Sequence, residues 1–156
     1  MRRKRRTWLL SRAALTDLLD VNVWFAISVG EHPHHPRALR YWHDESDERR
    51  AFCRVTALAL LRLLTNATVM NGQPLHAGEA WSTYRAWLGR DDVTAAREPA
   101  GCDTILGRWA ANGIIQPRLW TDAYLAAFAR SGGMRLVTFD RDYRRFEGLD
   151  LLELEP

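Results

Sequence analysis

Apolar residues in this chain keep two rhythms: short unbroken runs, and longer stretches in which they recur every three or four positions. The first suits a strand covered on both faces, the second a helix packed along one side. LTDLLDVNVWFAIS (15–28) starts as a strand and turns helical after Asn22, a residue suited to capping. HPHHPRALRYWHDESDERR (32–50) predicts a loop, a short helix and a charged turn. AFCRVTALALLRLLTN (51–66) repeats strand then helix, with Thr56 as the expected cap. Apolar residues cover most faces of that helix, which predicts its burial. The NGQP turn (71–74) precedes an amphipathic helix carrying Trp81, Tyr84 and Trp87. VTAARE (93–98) reads as a short strand, and 99–113 as a helix stopped by Gly113. A further helix spans 119–133, with Thr121 as cap and Gly132–Gly133 as stop. MRLVTF (134–139) and LDLLEL (149–154) close the series as strands.

Strands that alternate with helices build βαβ units, so the expected fold class is α/β: a three-layer α/β/α sandwich with a mainly parallel central sheet. A length of 156 residues fits one domain, with no internal repeat or linker to divide it. The expected organisation is a basic N-terminal extension over 1–15 and a single domain over 16–156.

Composition narrows the function classes. With 47% hydrophobic and 26% charged residues the chain can bury a core. The net charge of +3 suggests a nucleic-acid partner, but MRRKRR holds five of the 22 basic residues, and the other 17 face 19 acidic ones. The body is therefore not a basic domain. Arg12 and Asp17 interrupt the apolar stretch that follows the arm, which argues against a secretory signal. No run approaches the roughly 18 apolar residues of a membrane span. Cys53 and Cys102 match no disulfide framework or metal spacing, so two buried thiols in a cytoplasmic protein are expected.

The chemistry lies in the acids that end the strands. Asp20 closes the first strand, Asp140 follows MRLVTF, and Asp122 stands in the first turn of the helix preceding that strand. In parallel α/β sheets such positions share the rim at the strands' carboxyl ends. Taken singly, Asp122 suits a helix dipole and Asp140 a turn. Together they imply more, because two carboxylates about 4 Å apart repel by about 4 kcal/mol at an effective dielectric near 20. A divalent cation, Mg²⁺ or Mn²⁺, relieves that repulsion, prefers hard oxygen donors, and can activate water against a phosphodiester.

These stretches resemble the PIN-domain ribonucleases, and among them the VapC-type toxins of bacterial toxin–antitoxin pairs. LLDVNVWFA is similar to the first acidic motif of that family, LWTDAYLAAFA to the third and LVTFDRDYRRF to the fourth, and the likeness covers about residues 16 to 154. The resemblance implies a metal-dependent endoribonuclease that is cytoplasmic, homodimeric and neutralised by a cognate antitoxin. By position, Asp20, Asp122 and Asp140 would hold Mg²⁺ or Mn²⁺. Asn22 and Thr138 would orient those carboxylates, and Asp142 would act from farther out or stand in a solvated turn. One departure concerns the second motif, where many members carry a glutamate: by spacing, Ala57 stands there, and Glu98 reads first as a solvated acid, with compensation from near the rim as the lesser reading.

Arg144 and Arg145, beside the fourth motif, are candidates to steer RNA, or else a solvated surface. His32, His34 and His35 read as a loop capping the next helix rather than as metal ligands. Arg62 is expected to reach solvent or a structural acid. Trp24, Trp42, Trp81, Trp87 and Trp109 are expected in the core or a dimer contact, and Trp120 against the rim, with base stacking as the second reading. Two rival functions stay open: a catalytically degenerate module that only binds RNA or antitoxin, and a phosphatase with Asp20 as nucleophile.

Overall fold

The computed structural model describes residues 15–156, so the expected basic extension lies, apart from Leu15, outside the described residues. Five strands form one all-parallel sheet: β1 (Thr16–Leu19), β2 (Arg49–Phe52), β3 (Val93–Ala95), β4 (Arg135–Thr138) and β5 (Leu151–Glu153), in the order β3-β2-β1-β4-β5. Six α-helices connect them: α1 (Val21–Ser28), α2 (His35–Arg40), α3 (Arg54–Leu64), α4 (Ala77–Leu88), α5 (Cys102–Ala111) and α6 (Trp120–Ser131). A π-helical turn, Tyr41–Glu45, prolongs α2.

Each face of the sheet carries its own core. One gathers Leu19, Trp24, Phe52, Leu60, Tyr84 and Val137 under α1, α3 and α4, the other Leu18, Ala51, Leu125, Phe128 and Leu136 under α5 and α6. Trp24 stacks on Phe52 with ring centroids 3.7 Å apart and meets Trp42 edge-on at 6.0 Å. On α6 the small residues Ala123, Ala126, Ala127 and Ala129 are all buried, which lets the helix axis lie close to the sheet. Gly133 ends the α6 turn with φ +64, a conformation that disfavours residues bearing a Cβ. The expected three-layer sandwich is the observed architecture.

The expected caps are corrected. Asp20, not Asn22, caps α1: its backbone is extended and its side chain accepts from the Val21 amide, which frees Asn22 for longer-range bonds. Cys53 stands at the cap of α3, while Thr56 works from inside the first turn by accepting the Cys53 amide at 3.0 Å. At α6 the cap is Leu119, and a 3₁₀ turn over Pro117–Leu119 leads into the helix without help from Thr121.

Three further expectations shift. The charged turn at 49–50 belongs to β2, because Arg50 is neutralised where it is buried: it bonds Asp92 at 2.7 Å and the Trp42 carbonyl at 3.0 Å, reaches the Ser46 hydroxyl, and lies over the Trp42 ring. Helix α3 buries only one side, with Leu58 half-exposed, and Trp81 on α4 is equally exposed rather than in the core.

At the end of the sheet where the strands begin, Asp17 and Arg135 occupy paired positions on β1 and β4. The guanidinium grips the carboxylate through two bonds of 2.7 Å, while the Tyr41 hydroxyl and the Asp47 amide donate to the same carboxylate at 2.7 and 2.9 Å. Burial opposes the Arg135 charge, but its bonds and the acids around it outweigh that cost and raise its pKa. This lock fixes β4 beside β1, and with it the register of the opposite end.

Candidate active site

The chain builds β2 and β3 on one side of β1, then crosses back to lay β4 and β5 on the other. Connections leaving β1 and β4 therefore diverge, opening a crevice at the carboxyl ends of these two strands. Asp20 follows β1 directly, Asp140 stands two residues beyond β4, and Asp122 projects from the first turn of α6.

Asp20 is 6% exposed and tightly held. Its Oδ1 accepts from the Val21 amide at 2.7 Å, and its Oδ2 accepts from the Thr138 hydroxyl at 2.8 Å and the Asn22 amide group at 3.2 Å. Burial pushes its carboxyl up to about 6; the bonds from Thr138 and Val21 resist the rise, and the negative charge of Asp122 adds to it. Asp122 is half-buried and also raised, first by burial and then by the charge of Asp140. The charge of Asp140 thus bears on Asp122, and that of Asp122 on Asp20.

Thr138 and Asn22 tie the crevice together. The Thr138 hydroxyl accepts from the Asp140 amide at 3.0 Å and from Asn22 Nδ2 at 3.1 Å, while Asn22 Oδ1 accepts from the Phe139 amide at 3.3 Å. Asp140 caps a 3₁₀ turn over Arg141–Arg145, its Oδ1 accepting from the Asp142 amide at 2.8 Å. Asp142 faces outward, bonded to Arg118 at 2.9 Å and Arg145 at 3.2 Å, and the bond from Arg118 holds its carboxyl below the usual range.

Two participants escaped the sequence reading. Tyr143 is fully buried, yet its hydroxyl donates to Asp122 Oδ1 at 3.3 Å and also stabilises the Asp20 carboxylate. The available signal was an aromatic residue with a polar tip three positions after Asp140. Arg118 brings a cation to the rim from the turn ahead of α6, where only the proline at 117 marks a turn.

Other candidates fall elsewhere. Arg144 is spent on Glu153, at 2.6 and 2.9 Å, and Arg145 on Asp142 and its carbonyl, so both reach solvent already paired. Ala57 is buried in the core beneath α1 and α3. Glu98 accepts from the Tyr124 hydroxyl at 2.6 Å, and its charge acts on Tyr124 and Cys102, both behind the rim. His35 meets the Ala26 carbonyl at 2.8 Å, and His34 stacks on Phe139 at 4.9 Å. Arg62 is exposed, both thiols are free and buried, and Trp120 is 52% exposed at the rim instead of packed against it.

Among the described residues no group of three or more His, Cys, Asp or Glu side chains is placed to hold a metal ion. The aspartates border the crevice with hard oxygen donors, those of Asp20 and Asp122 raised first by burial and further by a neighbouring acid. That donor set fits Mg²⁺ or Mn²⁺, which retain several waters and need only one or two carboxylates.

Comparison with known proteins agrees with this geometry. The PIN domain family profile matches residues 18–149. Ribonuclease VapC41 of Mycobacterium tuberculosis is 42% identical over 143 residues, covering 86% of this chain and 95% of that protein. Ribonuclease VapC29 of the same organism is 34% identical over 143 residues, covering 91% and 98%. Two solved structures share the fold: VapC20 of Mycobacterium tuberculosis, a Sarcin-Ricin loop cleaving toxin, has a TM-score of 0.62 at 15% identity over 86% of this chain and 97% of that one. VapBC-1 from nontypeable Haemophilus influenzae has a TM-score of 0.62 at 16% identity over 89% and 98%. With a family profile matched over residues 18–149 and a relative 42% identical over 86% of its length, this chain belongs to the PIN domain family.

Proposed function

We propose that the chain is a metal-dependent endoribonuclease, the toxin of a VapBC-like pair, with Asp20, Asp122 and Asp140 as its catalytic carboxylates and the ligands of Mg²⁺ or Mn²⁺. One observation carries the reading: Asp20, Asp122 and Asp140 come from distant parts of the chain to the β1–β4 crevice, where burial raises the carboxyls of Asp20 and Asp122 and the charge of Asp122 adds to the first and that of Asp140 to the second. The ribonuclease names of its relatives support RNA as substrate, and the VapBC complexes among its structural neighbours support a cognate antitoxin as partner. Homodimer formation belongs to the same proposal.

When bound, the cation supplies positive charge against the scissile phosphate and makes the attacking water more acidic. The protein's own contribution is placement. Thr138 and Asn22 hold Oδ2 of Asp20 and the Val21 amide holds Oδ1, and the turn at Asp140 aims the second carboxylate from β4. Arg118 offers a guanidinium at the rim for phosphate, and Trp120 an exposed ring for an unpaired base. Arg144 and Arg145 act as weaker phosphate contacts, since each must first loosen its carboxylate partner.

The test is cleavage of RNA by purified protein with Mn²⁺ or with EDTA, for wild type and for Asp20→Asn, Asp122→Asn and Asp140→Asn. Activity is expected only in the wild type with metal. Full cleavage by all three variants, or in EDTA, would remove the mechanism; metal binding without cleavage in the wild type would favour the degenerate module.

A further inference from the structure

The three aspartates are not held equally. Asp20 is fixed by an amide, a hydroxyl and a side-chain amide, and Asp140 by an amide of its own turn. Asp122 has one hydrogen-bond partner among the described residues, the hydroxyl of Tyr143. Three of the roughly four acceptor positions on the Asp20 carboxylate are already taken, so a cation has one direction left from which to bind it. Whether Asp122 meets the same ion then depends on how its side chain is turned.

Tyr143 is placed to set that turn. Its ring is fully buried in the core beneath α6, and its hydroxyl reaches Asp122 from the protein side. The backbone of Tyr143 lies in the turn capped by Asp140, so one short segment positions one acid directly and a second through its phenol. A buried hydroxyl between two carboxylates has no other acceptor to choose, since it lies against Asp122 and within reach of Asp20.

We propose that Tyr143 is a positioning residue for the divalent cation: its hydroxyl holds the otherwise untethered Asp122 carboxylate in register with Asp20, so that both can face one ion. This rests on the metal-dependent reading above and assigns a role within it. Groups that orient ligands from behind typically alter metal affinity ten- to a hundredfold when removed. The 3.3 Å bond is long, which places the expected effect at the lower end.

The experiment is titration of Mn²⁺ by calorimetry into metal-free wild type and Tyr143→Phe, with thermal unfolding in EDTA as a control for the fold. The phenylalanine ring fills the same volume, so the variant should unfold as one cooperative unit and bind Mn²⁺ about tenfold more weakly than wild type. Equal affinity, or tighter binding by the variant, overturns the role of Tyr143 and leaves the metal site standing. No Mn²⁺ binding by wild type overturns the metal site itself. A measurement free of substitution runs alongside: in wild type carrying ¹³C at tyrosine Cζ, Mg²⁺ should move the Tyr143 resonance more than those of Tyr41, Tyr84 and Tyr124. An unmoved Tyr143 resonance at saturating Mg²⁺ overturns the proposal even if the variant fails to fold.

Discussion

The hydroxyl of Thr138 lies 2.8 Å from Oδ2 of Asp20, across 118 residues of sequence. That one oxygen also receives the Asp140 amide and the Asn22 side chain, so it joins the ends of β1 and β4 and both of their acids. The crevice depends on this small hub as much as on the carboxylates.

Thr138→Val keeps the shape and removes the hub. The Asp140 amide loses its acceptor and Asp20 loses a donor, at a cost of about 1–3 kcal/mol in urea unfolding. RNA cleavage is expected to fall about ten- to a hundredfold, measured at saturating Mn²⁺, because the acids lose their alignment. Wild-type cleavage in a folded variant would show that the backbone alone aims them.

The acidity of Asp20 predicts a pH dependence for the metal-free protein. Its folded pKa of about 6 stands above the 3.8 of the unfolded chain. Between these values the folded state keeps a proton that the unfolded state has released, so stability is greatest below about pH 4 and declines as pH rises through about 6. The full loss is about 3 kcal/mol, at 1.36 kcal/mol per pKa unit. Urea unfolding in EDTA from pH 4 to 7.5 should show a steeper decline in wild type than in Asp20→Asn, where Asp122, also raised by burial, still contributes; parallel curves would contradict it.

Arg135→Met should unfold the protein more readily by about 3–5 kcal/mol, because it leaves the Asp17 carboxylate buried without its cation. Denaturant midpoints measure this directly. Replacing both partners, Asp17→Leu with Arg135→Met, should recover much of the loss, since an apolar pair of similar volume needs no compensating charge. A double variant as unstable as the single one would count against the charge argument.

Ala57→Glu tests whether this position can serve the crevice. Ala57 is buried among apolar side chains, so a glutamate there meets no partner and should destabilise the fold by several kcal/mol. Calorimetry is expected to show no gain in Mn²⁺ affinity. A stable variant with tighter Mn²⁺ binding would mean that the helix turns this position toward the rim.

Much of the crevice was legible in the sequence because its acids stand where apolar runs stop. LLD and VTFD mark strand ends, and parallel strands deliver their ends to one rim. The Asp17–Arg135 lock was not legible in the same way. Each is a lone charge in a four-residue strand, and only the return of β4 to the side of β1 makes them partners. Arg50 was misplaced in a turn for a related reason: two arginines in series argue against a strand until Asp92 and the Trp42 ring are brought to meet one of them. The cap of α1 went to Asn22 because local preference ranks Asn and Asp alike, and nothing nearby in the chain reveals that Asn22 is engaged by Thr138.

Because β4 pairs with β1 only after the crossover from the far edge of the sheet, the first acid waits through most of synthesis for its neighbours. A growing chain that has not yet released residues 135–140 from the ribosome has Asp20 but no Thr138 beside it and no Asp140 to complete the crevice. If the proposed carboxylates cut RNA, the chain is inert until it is almost finished, and chains truncated before this point lack the complete crevice.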